Sequence, residues 1–218
     1  MKKIIAIILL LAAVLIGTFI YQINEKVTQD EIYGEAAVFF QEQDYKKAIQ
    51  YFEEAFTHNN LFSGNLKKDL AYYQAEAHMK LGEYSQAIEI YDRMIRESSN
   101  ESIPYVMKAY CLIGLEEIEK AASVYEEGYE KTKDPAFLYY LANQYVNMEQ
   151  YDDAIHVIHT YQNIKNEEMA RKLAFLEIVV YEKQQQYDKA YELAVAYCED
   201  YPEDAEGQKE KTFLESRR

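Results

Sequence analysis

The sequence predicts an all-α chain: a right-handed α-solenoid of about five helix–turn–helix repeats, preceded by one transmembrane helix. Three observations carry this. Only 7 Gly and 3 Pro occur in 218 residues, too few for the tight turns of a sandwich or barrel of short strands. A phrase made of an aromatic residue, two others and Ala recurs along the chain, as in DYKKAIQYF, EYSQAIEIY, QYDDAIHVI and QYDKAYELA. Around each recurrence, apolar residues return at i, i+3, i+4 and i+7, the helical period.

The first element follows Met1-Lys2-Lys3. Residues 4–21 contain no charge. As a helix they span about 27 Å at ~1.5 Å per residue, close to the hydrocarbon thickness of a bilayer. A cleaved signal peptide is the competing reading. It wants a shorter apolar core and a small-x-small cleavage site. Here the run continues through Phe19, Ile20 and Tyr21, with no Ala-x-Ala after it and no Cys for a lipid anchor. The anchor is the better reading, with Tyr21 at the interface. Lys2 and Lys3 precede the span, and Lys26 is the only basic residue just after it. The positive-inside rule then leaves residues 1–3 in the cytoplasm and places the rest on the extracytoplasmic side of the cell membrane, as a single-pass protein. Residues 22–28 read as a linker.

The body is acidic. The chain carries 23 Lys and Arg against 38 Asp and Glu, a net charge of −15. This argues against a nucleic-acid footprint, which needs clustered cations, and against a body lying flat on anionic lipid.

The repeats come next. Their anchoring alanines are Ala48, Ala87, Ala121, Ala154 and Ala190, spaced by 33 to 39 residues. Twelve residues before them stand Ala36, Ala75, Ala109, Ala142 and Ile178. Three before stand Tyr45, Tyr84, Ile118, Tyr151 and Tyr187, and four after stand Phe52, Tyr91, Tyr125, Ile158 and Ala194. Small residues at two fixed positions let paired helices approach closely, where bulk would overpack the contact. Short connections such as 80–84 and 148–151 suit antiparallel pairs. Asp134-Pro135 makes a helix start.

This pattern resembles the tetratricopeptide repeat, a 34-residue helix–turn–helix unit with small residues at positions 8 and 20 and aromatics at 11, 17 and 24. Five units fit over 29–204: 29–62, 68–101, 102–134, 135–168 and 171–204. The longest insertion, 58–69, joins the first two. Trp is absent from every position 4, and position 27 varies as Ala55, Met94, Gly128, Tyr161 and Tyr197. Residues 205–218 form either a capping helix through Phe213 and Leu214 or a frayed tail.

The resemblance also implies a binding surface, because the first helix of each unit lines the concave face of such a solenoid. Family positions 5, 9 and 12 also take in Ala37, Glu76 and Glu182, and supply as groove candidates Tyr33, Phe40, Tyr72, Met79, Val106, Tyr110, Ile113, Tyr139, Asn143, Val146, Phe175 and Val179. An apolar, Tyr-rich groove suits a protein or peptide partner, since aromatics supply contact area at low entropic cost. Asn143 is the polar group best placed to pair with a bound backbone. The other reading of the same face is packing within the chain itself. The cationic set by which some family members clamp a carboxylate is missing; Lys80, Lys172 and Lys183 are the only basic candidates.

Catalytic signatures do not appear. There is no Gly-rich phosphate loop, HExxH or nucleophile elbow. His156 and His159, with Asp152 and Asp153, lack a third ligand at fixed geometry, so a solvated helix face is the better reading and no metal is expected. Cys111 and Cys198 lie about two and a half repeats apart and read as free, small apolar side chains. The expectation is a non-enzymatic scaffold or adaptor without cofactor or small-molecule substrate. An assembly factor with many weak clients, and a secreted protein with a cleaved leader, remain as alternatives. The 22 Tyr sort accordingly. Half sit at repeat-core positions, four (Tyr33, Tyr72, Tyr110 and Tyr139) line the groove, and Tyr21 marks the membrane boundary.

Overall fold

The structure is a computed structural model that describes residues 2–58, 60, 63–160 and 165–218, with side chains from residue 7 onward. All regular structure among these residues is helical. Eleven helices follow in chain order: α1 Lys2–Gln41, α2 Tyr45–Thr57, α3 Gly64–Lys80, α4 Tyr84–Glu97, α5 Ser102–Gly114, α6 Ile118–Thr132, α7 Ala136–Asn147, α8 Tyr151–Thr160, α9 Glu167–Lys183, α10 Tyr187–Asp200 and α11 Ala205–Glu215. They divide into two compact units, Met1–Arg96 and Glu97–Arg218.

The repeat signature maps directly onto burial. Ala48, Ala87, Ala121, Ala154 and Ala190 are fully buried, and so are Ala36, Ala75, Ala109, Ala142 and Ile178. With no side chain beyond Cβ at most of these points, the backbones of paired helices come close and larger neighbours close over them.

In the first unit, α1 runs unbroken for 40 residues. The stretch 22–28, expected as a linker, is therefore helix continuous with both the apolar segment and the first repeat. The physical reason is that neither Gly nor Pro interrupts 18–33, and Lys26 pairs with Asp30 one turn on. The C-terminal part of α1 packs on α2 through a core of Ala36, Ala48, Phe52, Ala55 and Leu70. Gln29 of α1 is fully buried. Its amide nitrogen donates to the Ala55 carbonyl at 2.9 Å, and its oxygen accepts from Asn60 Nδ2 at 2.8 Å. His58 Nδ1 lies 2.9 Å from Glu25 Oε2, and this bond holds the Glu25 carboxyl below its usual range. The 58–69 insertion thus begins by fastening onto α1. Further on, the Tyr91 hydroxyl of α4 reaches Met79 Sδ of α3 at 3.4 Å.

In the second unit, α5 packs with α6, α7 with α8, α9 with α10, and α11 closes on α10. Asp134 caps α7, its Oδ1 accepting from Ala136 N at 3.0 Å while Oδ2 accepts from Ser102 Oγ at 2.8 Å. Position 27 shows how size is traded between helices. At Gly128, an added Cβ would lie 2.6 Å from the Phe137 ring. At the last repeat the bulk is reversed: Tyr197 occupies the position, and Gly207 of α11 gives way to its ring. Residues 205–215 form a capping helix rather than a frayed tail, with Leu214 fully buried and Phe213 exposed.

The turn inside each repeat uses one left-handed residue: Gln43, Gly82, Glu116, Glu149 and Gln185, with φ between 59° and 74°. Each lies two residues before the second helix begins. The bonding is that of a Schellman cap. In the first repeat Asp44 N donates to Phe39 O at 2.9 Å and Gln43 N to Phe40 O at 3.1 Å, and the third repeat matches with Glu117 N to Leu112 O and Glu116 N to Ile113 O. Gly82 is the only glycine among the five. Replacing it with alanine forces a Cβ into the left-handed region and is expected to cost about 1 kcal/mol, read as a lower urea midpoint.

Candidate functional site

The first helices of the repeats present large apolar side chains to solvent, in each unit separately. In the first unit, Phe52 of α2 supplies a buried platform. Tyr73 of α3 stacks on it at 6.0 Å and 16°, and meets Phe40 of α1 edge-on at 5.6 Å. Tyr33 closes the cluster, 6.2 Å from Tyr73 and 6.3 Å from Phe52. Tyr33 and Phe40 are half-buried, while Tyr73 is 40% exposed. The residue that continues this surface is therefore Tyr73, one position after the expected Tyr72, which is half-buried. Met79 is half-buried beneath the Tyr91 hydroxyl.

In the second unit, α5 exposes Ile103 at 60% and Tyr110 at 56%, two turns apart on one face. Val106 lies half-buried between them. On α7, Tyr139 is half-buried with Lys172 Nζ 5.9 Å over its ring, and the more exposed neighbour is Tyr140, whose ring lies 5.6 Å from Tyr125. Ile113 and Asn143 both line a cleft of about 530 Å³, together with Ile118, Glu119, Tyr125, Tyr140, Gln144, Asn147, Met148 and Gln150.

One expected groove residue belongs to the core instead: Val146 is buried, because position 12 of this repeat turns inward toward the helix pair. Phe175 is half-buried and packs edge-on against Tyr197 at 5.5 Å, on the flank of the cluster around Ile178, Ala190 and Leu214. Val179 is half-buried. Sequence reading missed Tyr73, Ile103, Tyr140 and Gln144. The available signal was the helical stripe itself: Ile103, Val106 and Tyr110 follow the i, i+3, i+7 spacing.

The remaining chemistry is quiet. Among the described residues no group of three His, Cys, Asp or Glu is placed to hold a metal ion. His159 Nε2 is bonded to Glu177 Oε1 at 2.7 Å. Cys111 and Cys198 are buried and free, and burial pushes the Cys111 thiol up to about 11, which keeps it protonated and unreactive. Burial, with the Glu126 carboxylate beside it, raises the Tyr145 hydroxyl to about 12. Tyr161 lies outside the described residues. What the exposed set can do chemically is bury apolar partner surface and pair with amide groups.

Comparison with known proteins supplies the family context. Residues 39–109 match the family model of the tetratricopeptide repeat. No curated protein matches by sequence. Among solved structures, a tetratricopeptide repeat protein from Parabacteroides merdae is similar with a TM-score of 0.62 at 16% identity, over 87% of this chain and 73% of that one. MamA is similar with a TM-score of 0.60 at 15% identity, over 82% and 94%. YrrB, described as a TPR protein with an unusual peptide-binding site, is similar with a TM-score of 0.55 at 13% identity, over 83% and 90%. At these identities the likeness is one of fold. The helix pairs, the buried small residues and the matched segment together establish that this chain has the fold of tetratricopeptide-repeat solenoids, with the family's repeat recognisable by sequence across residues 39–109.

Proposed function

We propose that the chain is a non-enzymatic scaffold, held in the cell membrane by residues 4–21, that docks a protein or peptide partner on the aromatic surfaces of its first helices. The observation that carries this reading is the exposure of Ile103, Tyr110, Tyr73 and Tyr140. Large apolar side chains gathered on the ligand-facing helices of a repeat fold mark an interaction surface. That YrrB is described as having a peptide-binding site agrees with it.

The anchoring part rests on α1. One helix among the described residues, Ile7–Gln41, is long and apolar enough to cross a membrane, and none of its most apolar window is buried. Side chains from Ile7 to Tyr21 have no core of their own to enter; lipid satisfies them. Because α1 continues without a break into the first repeat, the scaffold stands directly on its anchor, with no flexible tether between. Orientation follows Lys2 and Lys3, so the repeats face the extracytoplasmic side.

A reporter fused after Arg218 tests this. A phosphatase that is active only outside the cytoplasm is expected to be active and to sediment with membranes. Activity of a cytoplasm-only reporter instead would overturn the orientation, and release of the fusion into the medium would overturn the anchor.

A further inference from the structure

Beyond the anchor, helix α1 carries two apolar faces, and the chain covers only one of them. Gln29, Ile32, Tyr33, Ala36, Phe39 and Phe40 turn toward α2 and its core. On the opposite side Ile23, Val27 and Val38 are 41%, 51% and 52% exposed, and at Gly34 an added Cβ would meet nothing within 4 Å. At about 100° of rotation per residue these four positions fall within about 60° of one another, and Ile16 and Ile20 of the anchor lie on the same line. Scattered exposed apolar residues are ordinary; a single stripe of β-branched side chains opposite the packed face calls for a partner. Lipid does not supply it. At ~1.5 Å per residue, Val27 stands about 9 Å and Val38 about 25 Å beyond Tyr21 along the axis, whereas headgroups add only about 5–7 Å outside the hydrocarbon.

We propose that this stripe is the seam of a parallel homodimer, in which α1 of a second copy in the same membrane packs along Ile20, Ile23, Val27 and Gly34. The inference rests on the reading of residues 4–21 as a membrane anchor, and that reading selects the occupant. Two copies inserted the same way present the same stripe at the same height and in the same direction. Because α1 is one unbroken helix, the seam passes from lipid into water without a change of register. The spacing fits. Ile20, Val27 and Gly34 recur every seven residues, with Ile23 and Asp30 between them, the a and d positions of a two-stranded coil. The flanking charges are self-complementary in that register. Lys26 borders one side of the stripe and the exposed Glu31 the other. In a parallel pair, Lys26 of each copy faces Glu31 of the other, five residues on, the g-to-e register of coiled coils. The two-fold axis makes this pair twice. Asp30 is the one polar residue on the seam between Ile20 and Gly34. It is 48% exposed and bonded to Lys26 at 2.5 Å, which offsets the charge it brings there.

The test uses the full chain in native membranes. Single substitutions Ile23→Cys and Val27→Cys probe the stripe, and Gln22→Cys and Thr28→Cys probe the flanks away from it. The wild type, whose Cys111 and Cys198 are buried, gives the background. Bridging needs Cα atoms within about 7 Å, so mild oxidation is expected to link the two stripe positions into a dimer at least about ten-fold more readily than the flanking ones. In the Val27→Cys chain, Lys26→Glu and Glu31→Lys are each expected to lower the dimer yield about three-fold, the size of two exposed ion pairs. Combined, the two are expected to restore it, because the swap re-forms the pair between copies. Residues five apart on one helix do not face each other, so a role confined to the single chain predicts no such rescue. The inference is overturned if stripe and flank crosslink alike, if neither crosslinks, or if the double swap fails to restore the yield. A chain that sediments with membranes without crosslinking at the stripe leaves the anchored scaffold standing and removes the pairing. A chain absent from the membrane fraction removes both.

Discussion

Phe137→Ala is expected to cost about 3–5 kcal/mol, the range for emptying a fully buried aromatic site. Phe137 is 1% exposed at the start of α7. Its ring meets Tyr105 edge-on at 6.1 Å, lies 6.4 Å from Tyr125 and 6.4 Å from Tyr140, and fills the space that Gly128 leaves open. Truncation therefore strips contacts from three aromatic neighbours and leaves a void that the backbone near Gly128 cannot collapse to fill. The measurement is chemical denaturation of the full chain in mild detergent, followed by helical circular dichroism. Repeat folds gain stability from neighbour to neighbour, so the loss should appear as early unfolding of the second unit. A complementary pair sharpens the point. Gly128→Ala alone overpacks and is expected to cost about 1–3 kcal/mol. Added to Phe137→Leu, which withdraws the ring, it should cost less than the sum of the two single effects.

Asp204→Ala is expected to cost roughly 2–4 kcal/mol, combining a lost helix cap with lost hydrogen bonds to a charged group. Asp204 stands before α11 and does several jobs at once. Its Oδ1 accepts from Glu206 N at 3.0 Å and Gly207 N at 3.2 Å. Its Oδ2 accepts from the Tyr197 hydroxyl at 2.7 Å and is bonded to Arg171. The capping helix, its predecessor α10 and helix α9 are joined through this one carboxylate. The Tyr197 hydroxyl first, then the Gly207 amide and Arg171, hold its pKa down to about 2. A lowered pKa in the folded state gives stability that is fully present above the ordinary carboxyl value near 4. That stability is lost as pH falls through the folded value. The contribution should therefore fade between about pH 4 and pH 2, with no change in it at neutral pH. Asp204→Asn, which keeps an acceptor for the cap, should cost less at pH 7 and flatten this pH dependence. Trypsin cleavage at Lys209 and Lys211 reads out the release of α11.

The fold was legible because its main constraint is written in residue size. Ten small or apolar positions at fixed offsets all proved to be buried, and nothing but close-packed helix pairs needs Ala at both of two points twelve residues apart. The turns were less legible. Gln43, Glu116, Glu149 and Gln185 adopt left-handed backbone without being Gly or Asn, so composition carried no sign of them; the paired Schellman bonds offset the strain. The break expected at 22–28 reflected a change from apolar to polar composition, which is not a change in backbone conformation. Helix α1 continues because its charged residues pair along it and Gln29 enters the core.

The surface was legible in kind and displaced in register. Tyr110 is exposed and Asn143 lines the cleft, but Tyr73 and Tyr140 are more exposed rings than Tyr72 and Tyr139. In both cases the ring lies against the aromatic at position 24 of the preceding repeat, Phe52 for Tyr73 and Tyr125 for Tyr140. One residue is about 100° of helix rotation, enough to turn a family-averaged position from the surface to the flank. Val146 went inward and Gln144 came to the cleft for the same reason.

Crosslinking in intact cells from a photoreactive residue at position 110 tests whether the proposed membrane-held scaffold grips a polypeptide through the exposed face of α5 and α7. A discrete polypeptide adduct is expected in the membrane fraction, strongly reduced when Tyr139 and Tyr140 are both alanine while the protein's own level is unchanged. An adduct that forms equally well with those two rings removed, or no adduct under conditions where an exposed control position crosslinks to solvent-borne proteins, would contradict it.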